Sequence, residues 1–163
     1  MEKGGYSVIS CGRYLEIQEI AGSDSPSIAF TCPEEDLDFW FHYFDFHTDY
    51  QAILNAVRPE DAYLAAAGKA GNGIRILRQD LWETILCFII SQQNNIARIT
   101  KCVENLCSLF GETCYNKSEQ VYNSIPTAER LAACTPEDLA PVRLGYRAKY
   151  ICAAARQVAS GEV

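Results

Sequence analysis

The sequence predicts an α+β chain, mostly α, in which a small antiparallel sheet precedes a bundle of helices. Three observations carry that expectation. Short runs rich in Tyr, Val and Ile are confined to the first thirty or so positions. From Cys32 onward, apolar residues recur at helical spacing behind Pro, Asp, Thr and Asn start signals. A hydrophobic content of 48% in 163 residues is enough for one real core, or one and a fraction.

Residues 6–10, 13–18 and 27–31 read as strands. They are broken by Cys11-Gly12 and by the turn-rich segment 21–25, so three strands are the most this region can supply. At Cys32-Pro33-Glu34-Glu35 the pattern becomes helical, with Pro in the first turn and acids beside the positive helix end. That helix carries Leu37, Phe39, Trp40 and Phe44. Thr48-Asp49 caps a second helix, and Pro59-Glu60-Asp61 starts a third that ends in the glycines around Lys69. Asp80 opens a stretch apolar on nearly every side (Leu81, Trp82, Ile85, Leu86, Phe88, Ile89, Ile90), the pattern of a helix central in a bundle. Ile96, Ile99, Val103, Leu106 and Phe110 then recur at three, four and seven, which predicts an amphipathic helix. Thr135-Pro136-Glu137-Asp138 is a further helix start. Over 146–160, Ala148, Ile151, Cys152, Ala155 and Val158 share one face, with Arg147, Lys149 and Arg156 off it. The pattern divides the chain into residues 1–78, short strands then helices, and residues 79–163, all helical. There is no internal repeat.

Composition narrows the function. The chain carries a net charge of −7 with a pI near 4.8. Residues 1–72 hold 12 acidic and 4 basic side chains, whereas residues 73–163 hold 9 and 10. Recognition depends on local fields, so a phosphate-facing surface in the second half is compatible with the acidic whole, with weak non-specific binding expected. The eight cysteines contain no C-x-x-C pair and only two histidines accompany them, so neither a metal site nor any other cofactor is expected. Cys87, Cys102 and Cys152 fit small hydrophobes on helix faces. No run approaches the ~20 apolar residues of a membrane span, and the N-terminus has no apolar signal core. A cytoplasmic location is the expectation.

Two motifs carry chemistry. The first is SQQNNIARIT, residues 91–100, four side-chain amides in a row between two apolar helical stretches. Asn94 or Asn95 can cap the helix that begins near Ile96, but a cap needs only one acceptor. A row of amides at a helix start offers donors and acceptors suited to nucleotide edges and phosphates. Arg98 and Lys101, three apart, share one exposed side of that helix. The second motif is LGYRAKYI, residues 144–151, where Gly145 ends a loop and an aromatic and an arginine stand at the mouth of a helix. Taken alone, it also fits a packed Tyr beside a solvated Arg.

Together the motifs resemble the 8-oxoguanine DNA glycosylases of the helix-hairpin-helix base-excision superfamily. LRQDLWETILCFIISQQNNIARI is similar to the segment in which that family usually shows S-x-N-N-N-I-x-R-I. LGYRAKYI is similar to its wedge segment, at the usual distance downstream. The resemblance implies a helical bundle of the DNA-glycosylase type that is incomplete at both ends. It implies double-stranded DNA containing 8-oxoguanine as the partner of the whole enzyme, and glycosylase plus AP lyase as its activity. Tyr146 would wedge beside the gap left by an extruded base, and the gap-lining amides would be Gln93, Asn94 and Asn95, with Gln93 filling it. Arg98 and Arg147 would contact the orphaned cytosine, and Lys101, Arg143 and Lys149 would be available to phosphates.

This chain departs from the family pattern at two points. Gln93 stands where Asn is usual, one methylene longer and looser as a gap filler. Arg143 stands where glycine is usual, which either adds a phosphate contact or changes the loop.

The resemblance also implies a later phosphate-binding hairpin, a nucleophilic lysine and an aspartate about twenty residues beyond it. None of Lys3, Lys69, Lys101, Lys117 or Lys149 follows a glycine hairpin. The expectation is therefore no catalytic residue in this chain, and a piece, trimmed or naturally truncated, that is inactive alone. It is expected to self-associate through apolar residues of the helical half such as Trp82, Ile89 or Ile151. The alternatives are a non-catalytic module that binds damaged or distorted DNA, and an acidic interaction domain that kept the fold and lost DNA binding.

Overall fold

The computed structural model describes residues 5–20 and 27–163. The turn expected at 21–25 lies outside the described residues. Strands β1 (Gly5–Ser10), β2 (Arg13–Ile20) and β3 (Ser27–Thr31) form an antiparallel sheet in the order β1-β2-β3. Ser10 pairs with Arg13 across a two-residue turn in which Cys11 and Gly12 both have positive φ, 50° and 70°. That is the backbone twist a tight hairpin requires. Helices follow: α1 (Leu37–Tyr43), α2 (Tyr50–Asn55), α3 (Ala62–Ala70), α4 (Leu81–Ser91) and α5 (Ile96–Phe110). A second hairpin, β4 (Thr113–Tyr115) with β5 (Val121–Asn123), then leads to α6 (Ala128–Ala132) and α7 (Arg147–Ser160). The expectation of an α+β, mostly helical chain with a small antiparallel sheet holds. The β4–β5 hairpin and α6 were not expected; three-residue strands and a five-residue helix are too short to show a period.

The chain forms two compact units, one of residues 34–78 and one joining β1–β3 to everything from Gln79 onward. Long-range bonds explain why the sheet joins the second half. Glu83 on α4 accepts from the Ser10 hydroxyl at 2.6 Å and from the Cys11 amide at 2.7 Å. Tyr122 on β5 donates to the Gly12 carbonyl at 2.8 Å, with its ring 5.2 Å from that of Tyr14.

The core of this larger unit is built from α4, α5, α6 and α7. Trp82, Leu86 and Ile90 line the inner face of α4, and Ala148, Ile151, Cys152 and Ala155 line that of α7. The Trp82 indole donates to the Pro126 carbonyl at 2.8 Å, so its polar atom is satisfied inside the core. Gly111 ends α5 where a Cβ would stand 2.0 Å from the Ser124 carbonyl oxygen, so only glycine fits. Cys102, Cys134 and Cys152 are buried, and the eight cysteines form no disulfide among the described residues.

Sequence expectations need correction at α4, at the start of α5 and at Thr135. Helix α4 buries one face only: Leu81 and Phe88 are 58% and 64% exposed. On α5, Ile96 is 82% exposed, because it occupies the first turn, ahead of the buried stripe at Cys102 and Leu106. Trp82 and Ile151 are core residues, whereas Ile89 is only partly buried against that core. The helix start at Thr135 closes only a single turn. Thr135 and Asp138 do cap each other reciprocally, at 2.8 and 3.3 Å. Pro141, however, cannot donate an N–H and would clash with the carbonyl of Glu137, so only a short 3-10 turn at Ala140–Val142 follows.

In the smaller unit, Asp45 is a buried hub. Its carboxylate accepts from Arg78 Nε at 2.6 Å, Thr48 at 2.8 Å and Tyr50 at 2.9 Å. The Arg78 bond holds its pKa at about 2, below the ordinary 3.8. Trp40 and Tyr43 are the buried residues of α1, while α2 and α3 bury none.

Candidate nucleic-acid interface

The four amides separate into two kinds once their partners are known. Helix α4 ends at Ser91, and Gln92 turns the chain outward. The Gln92 side chain reaches back to the Phe88 carbonyl at 3.4 Å. The Asn94 amide donates to the Ile90 carbonyl at 3.0 Å, and its oxygen accepts from the Asn95 amide at 3.1 Å. Asn95 caps α5 by accepting from the Arg98 amide at 3.0 Å. Three amides thus build the joint between two helices. Gln93 alone has no side-chain partner among the described residues. It is exposed and sits at φ +47°, a left-handed conformation that a non-glycine residue adopts at a cost of roughly 1–2 kcal/mol.

Arg147 connects this turn to the second motif. The sequence pattern put it on the outer side of α7, but it is 5% exposed. Its guanidinium donates to the Gln92 carbonyl through Nε at 3.1 Å and also through Nη2, to the Gln93 carbonyl at 3.1 Å and to Leu144 at 3.4 Å. Its Cζ lies 4.7 Å from the Tyr146 ring centroid. One guanidinium, itself in the second motif, therefore bonds carbonyls of the first that lie 55 and 54 residues away. Tyr146 is 54% exposed at the N-terminus of α7, and Gly145 before it takes φ +62°. Lys149 lies off the core with its Nζ 4.8 Å from the Tyr150 ring. Arg156, also expected off the face, donates to the Ala132 and Cys134 carbonyls at 3.2 and 3.0 Å.

Arg98, Lys101 and Arg143 stand on the outside beside this joint. Together with Asn95, Ala97, Cys102 and Val142 they line one open cleft. Arg143 has φ +65° and ψ +36°, the left-handed conformation in which glycine is at ease. No described group of histidine, cysteine and carboxylate side chains could hold a metal ion. No described helix is long and apolar enough to cross a membrane.

An exposed amide on a strained turn, an aromatic beside it and a row of cations define a surface suited to an opened nucleic-acid duplex. Residues 86–161 match the model of the HhH-GPD superfamily of base excision DNA repair proteins. Residues 2–85 match the N-terminal domain of 8-oxoguanine DNA glycosylase, and the chain belongs to that family. It is 44% identical over 95 residues to the N-glycosylase/DNA lyase of Saccharomyces cerevisiae, which covers 58% of this chain and 25% of that protein. The apo-form of Clostridium acetobutylicum 8-oxoguanine glycosylase/lyase superposes with a TM-score of 0.82 at 34% identity, over 100% of this chain and 56% of that one. The same enzyme in complex with dsDNA containing cytosine opposite 8-oxoG gives a TM-score of 0.80, at 34% identity and over 100% and 55% of the two chains. This chain spans about half the length of those solved structures, and its match covers a quarter of the yeast protein.

Proposed function

We propose that this chain supplies the gap-filling and opposite-base contacts of a DNA glycosylase/lyase that removes 8-oxoguanine paired with cytosine by turning the damaged nucleotide out of the duplex. The observation that carries the reading is the Arg147 tie, which holds the Gln93 turn and the Tyr146 ring against one guanidinium. An extruded base leaves a gap whose unstacking costs a few kcal/mol. Gln93, with an uncommitted amide, and Tyr146, with an exposed ring, are the side chains suited to fill and prop it. Asn94 and Asn95 act beneath them by setting the turn.

Cytosine's pairing edge presents two adjacent acceptors, and a guanidinium has only donors. Adenine presents a donor there, which a guanidinium cannot accept. Arg98, exposed on the first turn of α5, is thus assigned to the orphaned cytosine. Arg147 joins it only by exchanging the Gln92 and Gln93 carbonyls for the base, so it also holds the turn. None of the five lysines occupies a nucleophile position of the kind the family pattern requires, so the sugar chemistry is assigned to residues outside this chain. Eight cysteines without a disulfide among the described residues suit a reducing compartment such as the cytoplasm.

The test is fluorescence anisotropy of the chain with duplexes carrying an abasic-site analogue opposite cytosine or adenine. Tighter binding opposite cytosine is expected, with that preference reduced by about 1–3 kcal/mol in Arg98→Ala. Borohydride added with 8-oxoguanine DNA should trap no covalent adduct. An equal loss opposite every base would reduce Arg98 to a phosphate contact. Indifference to the duplex altogether would favour the acidic interaction-domain reading.

A further inference from the structure

We propose that the cleft between α5 and the turn at Arg143 is a seat for a backbone phosphate of the strand opposite the lesion, gripped by Lys101 and Arg143 beside Arg98. The inference rests on the DNA-binding reading and adds to it a strand and a single cleft in which Lys101 and Arg143 act together.

Charge carries the argument. The cleft has a volume of ≈ 500 Å³, and three of its lining residues are Arg98, Lys101 and Arg143. No described carboxylate lines it, although the chain holds 21 acidic side chains. All three cations are exposed, and none of their side chains has a hydrogen-bond or ion-pair partner among the described residues. Three like charges facing one cleft in an acidic chain repel one another and are the complement of an anion.

Geometry sharpens the choice of anion. Lys101 lies three residues beyond Arg98 on α5, about 4.5 Å further along the helix axis. If Arg98 meets the orphaned cytosine, the next anion within reach is a phosphate of the strand that bears it. A guanidinium presents a planar fork of donors that matches phosphate oxygens, and lysine adds a point charge. The Asn95 side chain, already spent on the α5 cap, lines the same cleft without opposing charge. The Arg143 backbone is held in place by its own N–H, which donates to the Ala140 carbonyl at 3.1 Å, and by its carbonyl, which faces the Cys102 thiol at 3.8 Å. The side chain is therefore presented from a fixed turn rather than from a loose loop.

Phosphate contacts set register and add affinity without reading sequence. The signature is accordingly a salt dependence, not a base preference. The experiment measures binding of the unaltered chain, Arg143→Gly and Lys101→Gln to the duplexes described above over a range of salt concentrations. Glycine takes a φ of +65° without strain, so Arg143→Gly removes the cation with no risk to the turn. Lys101→Gln, on an exposed helix position, tests the same cleft from its other wall. The slope of log affinity against log salt should become shallower by about 0.9 for each phosphate that is no longer neutralised. The preference for cytosine over adenine should persist in both variants. Slopes equal to that of the unaltered chain would overturn the assignment while leaving the DNA-binding reading intact. A vanished cytosine preference at an unchanged slope would overturn it too, by making these residues base readers. Failure of the unaltered chain to bind either duplex would remove the DNA-binding reading itself, and this seat with it.

Discussion

Residues 34–78 and the larger unit that contains α4–α7 are held together by different means. The larger unit has a continuous apolar core to which four helices contribute. The smaller unit buries Trp40 and Tyr43 from α1 and nothing from α2 or α3. It closes around one carboxylate, Asp45, whose three side-chain donors and whose carbonyl, bonded by Arg75 at 2.7 Å, tie the segment end to end. It also leaves the buried Trp40 indole nitrogen without an acceptor among the described residues, a defect the larger core does not share at Trp82. The lesson is that apolar burial gives stability indifferent to pH, whereas a charged hub makes stability conditional on one proton.

The comparison breaks most sharply at the larger core. Ile151→Ala removes a fully buried side chain from α7 and should cost about 2–5 kcal/mol in chemical denaturation, evenly from neutral to mildly acid pH. A cost below about 1 kcal/mol would mean that the core yields and is not closely packed there.

The second effect is confined to residues 34–78 and depends on pH. Asp45 ionises at about 2 in the folded chain against an ordinary 3.8, so its pKa is depressed by folding. Its stabilisation is then fully present above the ordinary value and is lost as pH falls towards 2. NMR signals of residues 34–78 should lose dispersion over that window while those of α4–α7 persist. Asp45→Asn should weaken the smaller unit already at neutral pH and flatten the acid transition. An unchanged acid transition in the variant would show that another carboxylate governs it.

The smallest effect lies at the joint. Asn95→Ala removes the cap of α5 and should cost ~1 kcal/mol. It should also loosen the Gln93 turn, seen as faster amide exchange at residues 92–95. A variant with full stability but the same loosened turn would mean that Asn95 serves the turn alone.

Much of the fold was legible because its signals are local. Asp49, Asp61, Asp80 and Asn95 each cap a helix by accepting from an amide three residues on, a contact that short spacing reveals. The apolar face of α7 follows from its period in the same way. The amide row and the Leu144–Ile151 motif were legible for the same reason, both being continuous stretches of chain, and the Arg147 bonds bring them together. What spacing left open was the role of each amide, because a side chain that caps and one that stays exposed look alike in sequence.

By itself, then, the sequence determined the class of fold, the starts of α2, α3, α4 and α5 and the two stretches that form the candidate interface, since each rests on signals local in the chain. Tertiary structure alone decided the rest. It put Arg147 under the Gln93 turn, because its acceptors are carbonyls 54 and 55 positions away. It joined the first strands to α4 through Glu83 and made a hub of Asp45 with Arg78 33 residues on. It also left Gln93, among the described residues of the row, as the one uncommitted amide. For Arg147, Glu83 and Asp45 a polar group took a partner that becomes available only once distant segments are packed together, and no local period encodes that choice.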